Sequence, residues 1–157
     1  MILETLKFSH AKFPKTQLVA HAYRGSEMRK CLEMLFATLT SNNHPADLVA
    51  FIGHNGLMEH QLPMPKAETG AKTRDAVILC CVSQSYFQNR LENAGIRPVL
   101  LTDQLMYPAS AVLHDLLEGW LRGENREQMR QRAGAAMAKN QKISVKAAKG
   151  IFADLGE

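Results

Sequence analysis

The 157-residue chain has no long apolar run, few aromatic residues and an odd number of cysteines, and each shortage excludes something. Its marked apolar stretches, Leu48 to Gly53 and Ala76 to Cys81, fall far short of the ~20 residues that cross a bilayer. Met1 to His10 carries Glu4 and Lys7 and lacks the apolar centre of a signal peptide, so no membrane partner and a cytoplasmic location are expected. Aromatics make up only 6% of the chain, yet 46% hydrophobic and 22% charged residues are ordinary for a folded domain. Disorder, collagen and coiled coil are excluded as the overall class. Three cysteines, Cys31, Cys80 and Cys81, give no disulfide framework. Cys80 and Cys81 are adjacent, so in a strand they face opposite ways and bridge poorly.

Several chemical signatures are missing as well. No G-x-G-x-x-G or P-loop sequence occurs, so nucleotide binding has no support. His54, His60 and a cysteine could form a zinc site, but neither C-x-x-C nor H-x-x-x-H spacing is present, so no metal and no cofactor are expected. A phosphatase loop needs arginine six residues after its cysteine, whereas Tyr86 and Phe87 stand there. The nucleophile elbow of α/β hydrolases needs glycines where Leu79 and Ser83 stand.

The patterns present alternate strand and helix. Gln17 to Tyr23 reads as a strand, followed by a turn at Arg24-Gly25 and Ser26 as N-cap. Met28, Cys31, Leu32, Leu35, Phe36 and Leu39 then recur at helical spacing and form one apolar stripe. Leu48 to Gly53, Ala76 to Cys81 and Pro98 to Asp103 are continuously apolar, as strands covered on both faces are. Helices are predicted over Ser83 to Ala94, closed by Gly95, and from Pro108 to Gly123. A further helix opens with a capping box of Asn125 and Gln128, and a last one runs from about Ser144 to Leu155, burying Ile143, Ala147, Ile151 and Leu155. The expected fold is a single α/β domain over residues 1–157, a three-layer parallel sheet with helices on both faces.

Ligands bind such sheets beyond the carboxyl ends of the strands. Arg24, then Gly53, His54 and Gly56, then Cys80 and Cys81, then Asp103 are predicted there. A cysteine nucleophile must be a thiolate, which an imidazole or the start of a following helix promotes. Cys81 precedes the helix at Ser83, and His54 ends the neighbouring apolar run 27 residues earlier. Backbone N–H groups at Gly53, at Gly56 or at the thiol itself are the candidate oxyanion donors. Only one of Cys80 and Cys81 can meet His54, and a cysteine ending a buried strand serves packing more often than catalysis. Cys31, on a helix stripe, belongs to the core.

The segments LVAFIGHNG and DAVILCCVS, with the later stretch RPVLLTDQLMYPASAVLHDLLEGWLRGE, resemble the caspase-like (clan CD) cysteine peptidases. That group includes caspases, gingipains, separase and the CHAT domains of bacteria, and the likeness runs over residues 17 to 138. It implies a caspase-like fold and a cysteine-dependent hydrolase acting on a peptide or protein substrate through an acyl-enzyme. His54 stands in its general-base position and Cys81 in its nucleophile position. Arg24, as an anion binder, or Asp103, favouring a cationic side chain, is a candidate for substrate selection. Asn55 departs from the pattern, separating His54 from Gly56 where the family has His-Gly directly, and the chain is short for such an enzyme. A catalytically inactive relative acting as a protein-interaction or regulatory module is therefore the alternative.

Charge is unevenly spread. Residues 122 to 157 hold eight Lys or Arg against four acids, which accounts for the whole net charge of +4. Lys139, Lys142, Lys146 and Lys149 recur at helical spacing and would form one basic face. Without aromatic residues among them to stack on bases, a solvated face is expected rather than a nucleic-acid seat. The sequence carries no signature of oligomeric state.

Overall fold

The computed structural model describes residues 1–156 as a mixed α/β fold. A parallel three-stranded sheet runs in the order β3 (Leu48–Ile52), β4 (Asp75–Leu79), β5 (Arg97–Leu100). The central strand β4 is buried at every position. Its side chains alternate between two apolar clusters. Ala76, Ile78 and Cys80 meet α1 (Met28–Thr40) and α2 (Ser83–Asn93), while Val77 and Leu79 meet α3 (Ser110–Leu121) and α4 (Arg126–Gln141). Continuous apolar sequence in β4 is thus explained by two covered faces, each fully buried large side chain contributing about 1.5–3 kcal/mol. The stripe of α1 buries Leu32, Leu35, Phe36 and Leu39 as its spacing predicts.

The strand at Gln17–Tyr23 (β2) forms but does not join this sheet. It pairs antiparallel with β1 (Ile2–Ser9), which the sequence reading leaves unassigned, in a two-stranded ribbon. Leu6 with Ala20 and Phe8 with Leu18 share one face of that ribbon. Such a ribbon is marginal by itself. His10, in the connecting turn, fastens it to the body through Nε2, 2.6 Å from Oε1 of Glu118 in α3. This contact and Arg122 hold the Glu118 carboxyl below its usual range.

Helix starts differ in two places. Ser26 lies inside a 3-10 turn (Gly25–Glu27) that runs into α1 without a side-chain cap. Pro108 lies outside α3, which begins at Ser110 after an extended Ala109. The capping box of Asn125 and Gln128 is present at the start of α4. The last helix, α5 (Val145–Lys149), is much shorter than its pattern predicts. The chain beyond it returns to the sheet, where Phe152 bridges Thr102 and Ala153 N–H donates to Leu101. That return rotates the buried face, so Ala148, Phe152 and Ala153 are buried while Ile143 and Ala147 are exposed. The predicted basic face does not exist, because Lys142 leaves the helix in a left-handed conformation (φ 55°) and Lys149 pairs with Glu127 of α4.

A buried polar knot fixes the carboxyl end of β4. Ser83 Oγ donates to the Ile78 carbonyl (2.8 Å) and Thr102 Oγ1 to the Cys80 carbonyl, while Ser83 N–H donates to Thr102 Oγ1 (3.1 Å). Thr102→Val keeps the shape but leaves the Ser83 N–H and Cys80 carbonyl without this hydroxyl, at about 1–3 kcal/mol for each buried group left unpaired. A urea midpoint lowered by at least about 2 kcal/mol of stability is expected, with Thr102→Ser close to the parent. An unchanged midpoint in Thr102→Val would show that the hydroxyl does not hold this turn.

Candidate functional site

The parallel register pairs Ile52 with Leu79, and His54 and Cys81 each stand two residues further along. The Gly53 N–H continues the ladder by donating to the Leu79 carbonyl (3.1 Å). Beyond it the chain turns at Asn55, whose side chain is fully buried. Asn55 Nδ2 donates to the Cys81 carbonyl (2.8 Å), and its Oδ1 accepts from Leu57 N–H (3.1 Å). The residue that interrupts the expected His-Gly pair is therefore the tie between the histidine turn and the cysteine turn. Gly56 packs directly on α1, where a side chain would overlap Met28 and press on Leu32.

The two thiols differ in environment. Cys80 is fully buried among the α1 and α2 side chains, and burial pushes its thiol up to about 12. Cys31 is half-buried and also raised by burial. Cys81 is half-buried, on the other side of the chain from Cys80, and its Sγ lies 3.6 Å from the Met106 carbonyl. Its neighbour Val82 takes a left-handed conformation (φ 44°, ψ 42°). For a β-branched residue that is strained by about 1–3 kcal/mol.

His54 and Cys81 occupy the same edge but do not bond to one another. The half-exposed His54 ring has Nε2 2.8 Å from Oε1 of Glu59. Of the candidate oxyanion donors, the N–H groups of Gly53 and Gly56 are engaged in this conformation, and so is that of Val82, next to the thiol residue. Gly53 N–H goes to Leu79, Gly56 N–H to the His54 carbonyl (3.0 Å), and Val82 N–H beside the thiol to the Gln104 carbonyl (3.0 Å). The first N–H groups of α2, at Ser83 and Gln84, go to the Thr102 hydroxyl and carbonyl. Two clefts, of about 200 Å³ beside Arg126 and Arg130 and about 160 Å³ beside Phe36 and Leu62, lie elsewhere.

Arg24 is exposed at the end of β2, so it does not stand at the carboxyl edge of the parallel sheet. Asp103 does follow β5 at that edge and is exposed, its N–H donating to the Ile151 carbonyl (3.1 Å). The sequence reading did not single out Glu59, although an acid five residues after a histidine across an Asn-Gly turn is a usable signal. It also missed the Gln104–Met106 segment, whose carbonyls no sequence pattern can place against Val82 and Cys81. Among the described residues no three His, Cys, Asp or Glu side chains converge to hold a metal ion, and no helix is long and apolar enough to cross a membrane.

Iodoacetamide at pH 8 is expected to modify Cys81 first in the folded protein. Cys80 should react only after unfolding, because its thiol is enclosed and remains protonated there. Mass spectrometry of the peptides reads this directly, and native labelling of Cys80 at the rate of Cys81 would contradict the packing of β4. No family model, curated protein or solved structure matches the chain.

Proposed function

We propose that the chain is a caspase-like, three-layer α/β domain acting as a cysteine-dependent hydrolase on peptide or protein substrates. The observation that carries this reading is the equal offset of His54 and Cys81 beyond paired residues of adjacent parallel strands, with Asn55 tying the two turns together. That arrangement brings an imidazole and an accessible thiol to one sheet edge on rigid supports.

In the proposed reaction His54 takes the Cys81 S–H proton. The thiolate adds to the carbonyl carbon of the scissile amide, giving a tetrahedral oxyanion. Its collapse breaks the C–N bond as the His54 imidazolium gives its proton to the departing amine. Water, activated by the same imidazole, then adds to the thioester; collapse releases the acid and returns the proton to sulfur. Before attack, rotation of the Cys81 side chain takes Sγ from the Met106 carbonyl toward His54.

A second reading, an inactive relative serving as an interaction or regulatory module, is favoured by one specific observation. The N–H groups of Gly53, Gly56 and Val82 are already bonded, leaving the oxyanion without those donors in this conformation. Removing a single such donor costs a working enzyme about 10²–10³ in kcat.

The pH dependence of Cys81 alkylation by iodoacetamide, in the parent and in His54→Ala, tests the dyad. Labelling near pH 6 that is lost in His54→Ala is expected. Labelling that rises only near the ordinary thiol pKa of about 8.5 in both proteins would remove the dyad. A labelled Cys81 with no turnover across a peptide library would leave the module reading standing.

A further inference from the structure

The acid that faces His54 has no part in the dyad as drawn. We propose that Glu59 is the positioning residue of the His54 base, an assignment that rests on the dyad reading and adds a third member to it. Its Oε1 lies 2.8 Å from His54 Nε2, while Nδ1 of the same ring makes no hydrogen bond among the described residues. A carboxylate accepts only from the N–H form of that nitrogen. Glu59 therefore selects the tautomer with hydrogen on Nε2 and leaves the lone pair on Nδ1. Nδ1 is then the atom that receives the Cys81 proton. The imidazolium formed keeps its Nε2–H on Glu59 throughout, so the charge that develops on the ring lies beside a carboxylate.

The backbone supports the assignment. Asn55 caps a 3-10 turn (Gly56–Met58), and Glu59 and His60 N–H groups both donate to the Gly56 carbonyl, at 3.2 and 2.9 Å. The turn is anchored by the buried Asn55 and by Gly56 against α1, and it returns the chain so that residue 59 meets the ring of residue 54. Both side chains are more than half exposed, at 55% for His54 and 61% for Glu59. An exposed pair of this kind adds little to stability, so holding the fold does not account for it.

Nitrogen-15 NMR of the imidazole groups in the full chain, with His54 assigned by its loss in His54→Ala, reads the tautomer. Iodoacetamide labelling of Cys81 at pH 7 reads the consequence. In the parent, His54 should carry hydrogen on Nε2. Glu59→Ala should give a mixture of tautomers and label Cys81 about 10–100-fold more slowly, the range seen when a metal-bound histidine loses the partner that orients it. Glu59→Gln, whose amide oxygen can still accept from Nε2, should recover part of the rate, and the urea midpoints of both variants should stay at the parent value. Parent-like labelling and an unchanged tautomer in Glu59→Ala, with labelling still lost in His54→Ala, would overturn the role of Glu59 and leave the dyad intact. Faster labelling in Glu59→Ala would overturn it too, showing that the acid restrains the ring. Parent-like labelling in His54→Ala would remove the dyad, and the proposal with it.

Discussion

Everything at the carboxyl edge of the sheet depends on the capture of three carbonyls at the end of β4. Those of Ile78, Cys80 and Cys81 accept from Ser83, Thr102 and Asn55, which come from the start of α2, the end of β5 and the turn after β3. Three separate segments are thereby fixed to one strand end. Two of these bonds lie in the fully buried interior, where an unmatched carbonyl would be costly. Helix α2 has no side-chain cap of its own, because its N-cap residue is Val82. Thr102 serves in that role from another part of the chain. The left-handed Val82 is the local strain that this convergence sustains.

The opposite edge is held by a different device. Arg74 is almost completely buried, and its guanidinium donates to the carbonyls of Leu39, His44 and Ala46 (3.1 Å to Leu39, 3.0 Å to Ala46). It ends α1 and fastens the chain between α1 and β3 to the start of β4. Next to it, Asp75 accepts two bonds from Arg97 and one from Trp120 Nε1, at 2.6–2.7 Å, linking β4, β5 and α3. Buried charge is tolerable only with its hydrogen bonds matched, and no buried side-chain nitrogen or oxygen among the described residues lacks a partner. The amino edge is thus closed by strong polar clamps, while the carboxyl edge keeps a half-exposed thiol and imidazole.

Much of the architecture was legible in the sequence because it is written in short-range pattern. The three apolar runs are the parallel strands, and the stripe from Met28 to Leu39 is a helix. The ribbon was half seen because residues 2–9 are exposed throughout, so no burial pattern marks them. The final segment was misphased because Lys142 breaks the helix with a left-handed residue, which nothing in a lysine row announces. At the site, His54 and Cys81 could be named from the strand ends. The choice between Cys80 and Cys81 needed the face of β4 on which α1 and α2 pack. Asn55 read as a departure from a family pattern, since a bond from residue 55 to residue 81 leaves no trace in either local sequence.

At the edge where His54 and Cys81 stand, some of the polar groups that an acyl transfer would use are already bonded. Val82 N–H is held by Gln104 and the Cys81 thiol by Met106, both through carbonyls of one short segment. That segment is anchored by buried Met106, while its flanking Leu105 and Tyr107 are more than 70% exposed. Little apolar packing therefore opposes its displacement beyond the Met106 side chain itself. A peptide carbonyl arriving at Cys81 would compete with the Gln104 carbonyl for one N–H and with the Met106 carbonyl for the thiol. In the proposed reaction, rotation of the Cys81 side chain frees the thiol, and recruiting the Val82 N–H as a donor would also require the Gln104 carbonyl to move, whereas the Asn55 and Thr102 ties stay in place. The two readings proposed above therefore part at this segment: the catalytic one requires the Gln104 and Met106 carbonyls to give up the Val82 N–H and the thiol, and the silent one leaves both bonded.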